Sequence, residues 1–234
     1  MIPLHDDNPT RRFAWMTALL IAANVAVFLF ELSLANGGPN ALDSFVAHWA
    51  FTPKHFFAAP FSPAQIATVF VSMFMHAGWL HIGGNMLFLW IFGNNVEDRL
   101  GAFAYLGFYL AAGIAATVGQ GLMDVAGDIP NLGASGAIAG VLGAYLLLYP
   151  RARVLTAVII IFFIELVRIP AVVVIGIWFL LQLASGVGSL SGAAAHQGGV
   201  AYFAHVWGFV AGMVMVLPAV ISDRLRRTRF VGWR

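Results

Sequence analysis

Phe13–Leu34 is apolar enough and long enough to cross a bilayer as one helix, and it stops at the breaker Asn36-Gly37-Gly38-Pro39. Runs of this kind recur to the end of the chain, and they restrict the fold more than any other feature. A backbone inside lipid must satisfy its own hydrogen bonds, which leaves helices as the spanning element for runs of this length. The second run is Trp79–Val96, closed by Glu97-Asp98-Arg99-Leu100-Gly101. The third is Ala102–Met123, the fourth Gly133–Tyr149, the fifth Ala171–Leu183 and the sixth Ala201–Ile221. Composition agrees: 61% of residues are hydrophobic and 9% charged, with mean hydropathy +0.87. Soluble domains carry far more charge. The expectation is an all-α polytopic membrane protein, a bundle of six transmembrane helices.

Two apolar stretches are not counted as spans. The interfacial loop 35–78 is cut by Asp43, Pro53, Lys54, Pro60 and Pro63, yet it carries Phe45, Trp49, Phe51, Phe56, Phe57 and Phe61. Rings mixed with polar groups favour the headgroup level. Val154–Ile164 is very apolar but short. A seventh span there would move Arg168 and the basic tail to the opposite side of the membrane. With six spans and both termini cytoplasmic, Arg11, Arg12, Arg99, Arg151, Arg153, Arg168, Arg224, Arg226, Arg227, Arg229 and Arg234 all lie inside, and only Lys54 lies outside. That asymmetry fits the positive-inside rule. Val154–Ile164 is therefore expected as an apolar loop pressed into the cytoplasmic face. The domain layout reads as a polar tail, 1–12, a membrane domain, 13–222, and a basic tail, 223–234. The run after Arg11-Arg12 is too long for a signal-peptide core and is read as a retained helix. The absence of cysteine excludes disulfides, a thiol nucleophile and thiolate metal sites.

Asn131–Gly143 is the most unusual stretch. Gly133, Gly136, Gly140 and Gly143 strip the fourth span of bulk around Ser135. Such glycines lower helix propensity, and close packing of helices is their plainest reason. Gly208 and Gly212 on the sixth span repeat the spacing of Gly136 and Gly140, so the two faces are expected to touch. Polar groups inside lipid are costly. His81 and Asn85 sit four apart on the second span, hence on one helix face. His205 sits on the sixth. With the N-terminus inside, spans two, four and six all run from outside to inside. His81, Ser135 and His205 then fall at one depth, about 10 Å below the outer surface at 1.5 Å per residue.

These parts suit acyl transfer. Ser135 is the candidate nucleophile and needs a base, for which His205 is the candidate. The Ser135 amide, the Asn85 side chain and His81 could hold the oxygen of a tetrahedral intermediate. No Asp or Glu is expected at this depth to orient His205, which predicts a dyad rather than a triad. Each residue also has a plainer reading. An intramembrane histidine or asparagine usually bonds neighbouring helices, and glycines pack them. The coincidence at one end of three co-directional helices favours chemistry. A zinc site from His76, His81 and His205 lacks a Cys or carboxylate partner and a familiar spacing. A transporter would carry charges or broken helices at mid-depth.

His76 through Asn85 (His-x4-His-x3-Asn), Gly133-Ala134-Ser135-Gly136 and Ala204-His205-x2-Gly208-x3-Gly212 together resemble the rhomboid family of intramembrane serine proteases. The resemblance implies cleavage of transmembrane protein substrates near their outer ends. It makes Ser135 the nucleophile, His205 its partner, and His81 and Asn85 oxyanion donors, with Gly133 helping to position substrate. It implies a bacterial inner-membrane setting, with the lipid bilayer and transmembrane substrates as partners and no cofactor, metal or nucleic acid. It also makes 184–200 a cap over the site, and Glu97 with Arg99 an ion pair or cap. A silent, client-binding member of the family is the alternative. The chain departs from the pattern in lacking a Trp-Arg pair in its first loop. It also has Ala139 where some members stack a tyrosine on the histidine, and Trp207 or Phe203 is expected to brace the ring instead.

Overall fold

A computed structural model of the chain describes residues 1–160, 163–189 and 201–231. The long helices form where the apolar runs predict them: α1 over Trp15–Gly37, α7 over Ala102–Met123, α9 over Ala171–Ser189 and α10 over Tyr202–Val231. Helices α2 (Ala41–Trp49), α3 (Pro53–Ala58) and α4 (Pro63–Val71) are short segments of the first loop, the last two opening on proline, which suits a first helical turn. The second span is α5, Trp79–Phe88, a π-helical turn at Leu89–Gly93, and α6, Asn94–Leu100. Helix α8, Ser135–Leu148, completes the set.

Four helices among the described residues are long and apolar enough to cross a membrane. Pro63–Phe74 and Trp79–Leu100 pass only as a pair, bent by 83°. Helix α8 has 14 residues. Its length, about 21 Å at 1.5 Å per residue, is less than the hydrocarbon thickness of about 30 Å. A helix that short leaves one end within the hydrocarbon, and non-helical backbone such as the run before Ser135 then needs protein around it. That protein is the first loop. The Phe51 and Asn131 backbones exchange two hydrogen bonds, at 3.1 and 2.7 Å, and the Gly133 amide donates to the Ser72 carbonyl at 2.8 Å.

Helix α8 is the axis of the bundle, buried from Gly136 to Tyr145 and packed chiefly against α10 and α7. The expected glycine contact is present. A Cβ on Gly208 would run into the Gly136 carbonyl, and one on Gly212 into the Gly140 carbonyl.

The end of the bundle that carries the N-terminal segment corrects two expectations. Val154–Ile164 is not a loop: its described residues belong to β2 (Arg153–Ile160) and β3 (Phe163–Pro170), paired antiparallel from Arg153 opposite Pro170 to Ile160 opposite Phe163. Nor is 1–12 a plain tail, because Ile2–Asp6 forms β1 on the other edge of β2. The physical reason lies in the β-branched run Val154, Thr156, Val158 and Ile159, whose backbone groups need partners beside an apolar surface. The bundle is mostly helical with this small sheet added. Of the expected cap, 184–189 continues α9, and 190–200 lies outside the described residues.

Two buried carboxylates tie the N-terminal segment down. Glu97 accepts the Met16 and Thr17 amides at 3.0 and 2.7 Å and the Thr17 hydroxyl at 2.8 Å. It thereby caps the first turn of α1, where amides lack helical partners. The Arg99 guanidinium donates to the Ala219 carbonyl at 3.2 Å, clamping α6 to α10. Asp6, fully buried, accepts from Tyr145 at 2.7 Å, Asn95 at 2.9 Å and Asn8 at 3.2 Å through one oxygen. Among the described residues its other oxygen has no partner. Burial pushes the Asp6 carboxyl above its ordinary range, and the bonds from Tyr145 and Asn8 pull the other way. A raised carboxyl stabilises the fold fully below its unfolded value, near pH 4, and that contribution is lost as pH rises through the folded value. Asp6→Asn stays neutral, so its thermal midpoint should gain on the parent's as pH rises from about 4 and then level off. A pH-independent difference between the two, in detergent melts, would contradict this account of Asp6.

Candidate active site

Ser135 opens α8 behind Ala134, which has no side chain to cap the helix. Ile138 makes the first intrahelical bond, to the Ala134 carbonyl, so the amides of Ser135, Gly136 and Ala137 stand at the unpaired helix start. Across the glycine contact, α10 carries His205, which is buried. Its Nε2 lies 2.7 Å from Ser135 Oγ. Close approach of α8 and α10 puts the two groups within hydrogen-bond reach, and Ala204 at the same level packs beside Gly136.

The ring is braced from a helix that sequence reasoning overlooked. Gln182 Oε1 lies 2.8 Å from His205 Nδ1. One turn earlier on α9, the Trp178 ring sits 5.7 Å from the imidazole, tilted by 39°. Neither Trp207 nor Phe203 braces the ring as expected. Trp207 packs on Gly119 of α7, and Phe203 lies near Gly186 of α9. Residues 205 and 207 point to different sides of one helix, which separates the two rings.

His81 and Asn85 lie on α5 as predicted. His81 Nδ1 accepts the Ala77 amide at 3.4 Å, a long bond that favours the tautomer with the proton on Nε2. That Nε2 edge lies over Gly133. A Cβ built there would be 3.0 Å from His81 Nε2 and 3.6 Å from Ser135 Oγ. Gly133 has φ +132°, a conformation suited to glycine, and a side chain there would collide with the His81 ring, whose Cε1 lies 2.9 Å from the Cβ position. Its own amide is taken by Ser72.

Asn85 is buried, and its Nδ2 lies 3.0 Å from His76 Nε2. His76 Nδ1 lies 3.2 Å from the Phe74 carbonyl, which makes Nδ1 the donor and Nε2 the acceptor from Asn85. The His76 amide donates in turn to Glu31 Oε2 at 3.0 Å. Glu31 corrects the expectation that no acid lies at this depth: it is buried in α1. It serves the turn before α5 rather than His205. A line Glu31–His76–Asn85 thus runs from α1 to α5. Glu31 and Gln182 both had a signal in the sequence, since each is a polar residue inside an apolar span.

A small cavity of about 20 Å3 reaches Ser135 from the side of α7, lined in part by Thr117, Gln120, Asn131 and Gly133. It is large enough for about one water molecule. Gln120 Oε1 accepts the Ala204 amide at 2.9 Å, which leaves its NH2 free to face the cavity.

The chain resembles proteins of known name. The family model for the Rhomboid domain matches residues 63–221. The chain is 30% identical over 221 residues to "Rhomboid protein 1, mitochondrial" of Saccharomyces cerevisiae, covering 91% of this chain and 56% of that protein. It is 35% identical over 130 residues to "Rhomboid protease GluP" of Bacillus subtilis, covering 56% of this chain and 24% of that one. With "Presenilin-associated rhomboid-like protein, mitochondrial" of Homo sapiens it shares 32% over 102 residues, covering 43% and 27%. The chain thus spans about half the length of the yeast relative and about a quarter of the other two. The match takes in the segments that carry His76, His81, Asn85, Ser135 and His205, on a multi-pass membrane fold. This protein belongs to the rhomboid family.

Proposed function

We propose that this chain is a serine endopeptidase that cuts transmembrane segments of other membrane proteins near their outer ends. The observation that carries the reading is the 2.7 Å contact between Ser135 Oγ and His205 Nε2. Hydrogen-bond reach between nucleophile and base is the first requirement of covalent hydrolysis.

In the proposed reaction, the Ser135 hydroxyl gives its proton to His205 Nε2 as Oγ attacks the substrate carbonyl. The oxygen that becomes negative is held by the Ser135 amide, His81 Nε2–H and a free Asn85 Nδ2–H. His205 then protonates the leaving amine, and the C–N bond breaks to leave an ester on Ser135. Water, supplied through the cavity beside Gln120, loses its proton to His205 and attacks the ester. The acid product departs and the proton returns to Ser135. Gly133, with no side chain, lets the His81 ring come close to the side of Oγ where the substrate backbone would lie. An intact helix hides its carbonyls in its own hydrogen bonds, so substrates should be segments that unwind easily near their outer ends.

We also count six crossings, with both termini cytoplasmic. The arginine distribution supports this orientation, in which Ser135 would face the outer leaflet. The likeness to a Bacillus subtilis rhomboid protease supports a bacterial plasma membrane, and the mitochondrial names of other relatives make a mitochondrial membrane the second setting.

A silent, client-binding rhomboid would have an unreactive serine. A fluorophosphonate probe distinguishes the two readings. Ser135 should be labelled in the parent protein, and labelling should fall to background in His205→Asn. A folded parent protein that takes up no label would favour the silent reading.

A further inference from the structure

We propose that Gln182 is the positioning residue of this site: its side-chain carbonyl on α9 holds the His205 ring in the one tautomer that can accept a proton from Ser135. The inference rests on the protease reading above. It goes beyond that reading by adding a third member, on a third helix, to the serine and histidine.

Both ring nitrogens of His205 are engaged, Nε2 with Ser135 at 2.7 Å and Nδ1 with Gln182 at 2.8 Å. A neutral imidazole has one donor and one acceptor nitrogen. For Ser135 to give its proton to Nε2, that nitrogen must be bare, so the ring proton must sit on Nδ1. A proton on Nδ1 needs an acceptor, and the Gln182 carbonyl is at the right distance. The opposite amide orientation would aim an NH2 at Nδ1, force the ring proton onto Nε2 and turn the serine contact around. The two contacts therefore select each other.

Packing supports the same assignment. Trp178 lies four residues before Gln182, so both reach His205 from one face of α9. Ala139 leaves no aromatic on α8 to do this. The titratable groups that bear on His205 among the described residues are Ser135 from α8 and His81 from α5, and no carboxylate does. An amide orients the ring without bringing a second charge into the bilayer, where an ion would be costly. A neutral orienter gives less stabilisation to the imidazolium that forms during attack than a carboxylate would. Adding a charge at this position should therefore be visible in the pH profile.

The experiment uses the full chain in lipid vesicles with a reporter protein that carries one cleavable transmembrane helix. Gln182→Met keeps the length and removes the acceptor. Its kcat should fall by about 10- to 100-fold while KM stays within about twofold, the usual cost of losing an orienting partner. Gln182→Glu keeps the acceptor and adds a charge. It should retain activity at high pH, with the acid limb of its kcat/KM profile displaced upward by about one pH unit or more. Nitrogen NMR of 15N-histidine protein should show the His205 proton on Nδ1 in the parent and lose that signal in Gln182→Met. Ser135→Ala runs beside them. If Ser135→Ala is inactive while both Gln182 variants keep the parent's kcat and pH profile, the brace is wrong and the protease reading stands. If Ser135→Ala cleaves like the parent, the protease reading fails, and the proposal fails with it. Should Gln182→Met not fold, an unmoved acid limb in Gln182→Glu still overturns the assignment.

Discussion

Ser135→Ala should reduce cleavage of a transmembrane reporter at least about a thousandfold, to the level of protein-free vesicles, while the protein still folds. The substitution deletes one oxygen. No other hydroxyl described near His205 approaches its Nε2, and the chain has no cysteine to replace it. Without Oγ there is no covalent intermediate, and a lone water in a cavity of about 20 Å3 is a poor substitute nucleophile. The structural loss is small by comparison. One hydrogen bond from a half-buried hydroxyl contributes about 1 kcal/mol net. Ala is also a better helix former than Ser, which offsets part of that. The melting curve in detergent should stay close to the parent's while activity vanishes. Cleavage above about one hundredth of the parent rate, in a preparation free of contaminating protease, would remove Ser135 from the nucleophile's role and the proposed mechanism with it.

The helices and the core of the site were legible because their cause is local. A residue inside lipid must be apolar, so spans could be read from Phe13–Leu34 onward, and α7 begins and ends where the apolar run does. Ser135, His81, Asn85 and His205 stood out because a polar group is conspicuous in such runs. Helix direction then gave the expectation that they share one depth. The glycine ladders were legible because steric contact between helices leaves few other reasons for them.

What escaped had causes distant in sequence or hidden by composition. β1 is five residues of mixed polarity, and its partner β2 begins about 150 residues later, so no periodicity near Ile2 announces a strand. Val154–Ile164 is short and apolar but for Thr156, where strand and helix cannot be told apart by pattern. Glu31 was absorbed into the first span, and its partner is a backbone amide at His76, which leaves no trace in side-chain chemistry. Gln182 stood at the edge of a fifth span taken to end at Leu183. In the structure α9 runs on to Ser189, which makes Gln182 an interior residue of the helix facing His205. An unassisted dyad is expected when only acids count as orienting partners, whereas an amide carbonyl is as good an acceptor for an N–H.

Gly208→Ala should slow the proposed cleavage at least about a hundredfold, although the residue carries no chemistry. The added Cβ would run into the Gly136 carbonyl, with the Gly136 carbonyl carbon at 2.9 Å and Ala116 Cβ at 3.2 Å. A side chain could rotate away, but Gly136 presents backbone in the middle of a buried helix. The strain must therefore be relieved by moving α10 away from α8. Gly136 adjoins Ser135, and Gly208 lies one turn below His205, so that displacement acts directly on the 2.7 Å contact. Misplacement of a catalytic group by about 1 Å is enough to lose two orders of magnitude. Overpacking should also destabilise the fold by about 1–3 kcal/mol. Gly107→Ala in α7 provides the contrast. Nothing lies within 4 Å of a Cβ there, and replacing glycine by alanine in a helix interior is favourable by about 1 kcal/mol. That variant should cleave like the parent and melt no lower. Equal activity and equal stability in Gly208→Ala and Gly107→Ala would mean that the α8–α10 contact is looser than described, and that glycine does not set the distance between Ser135 and His205.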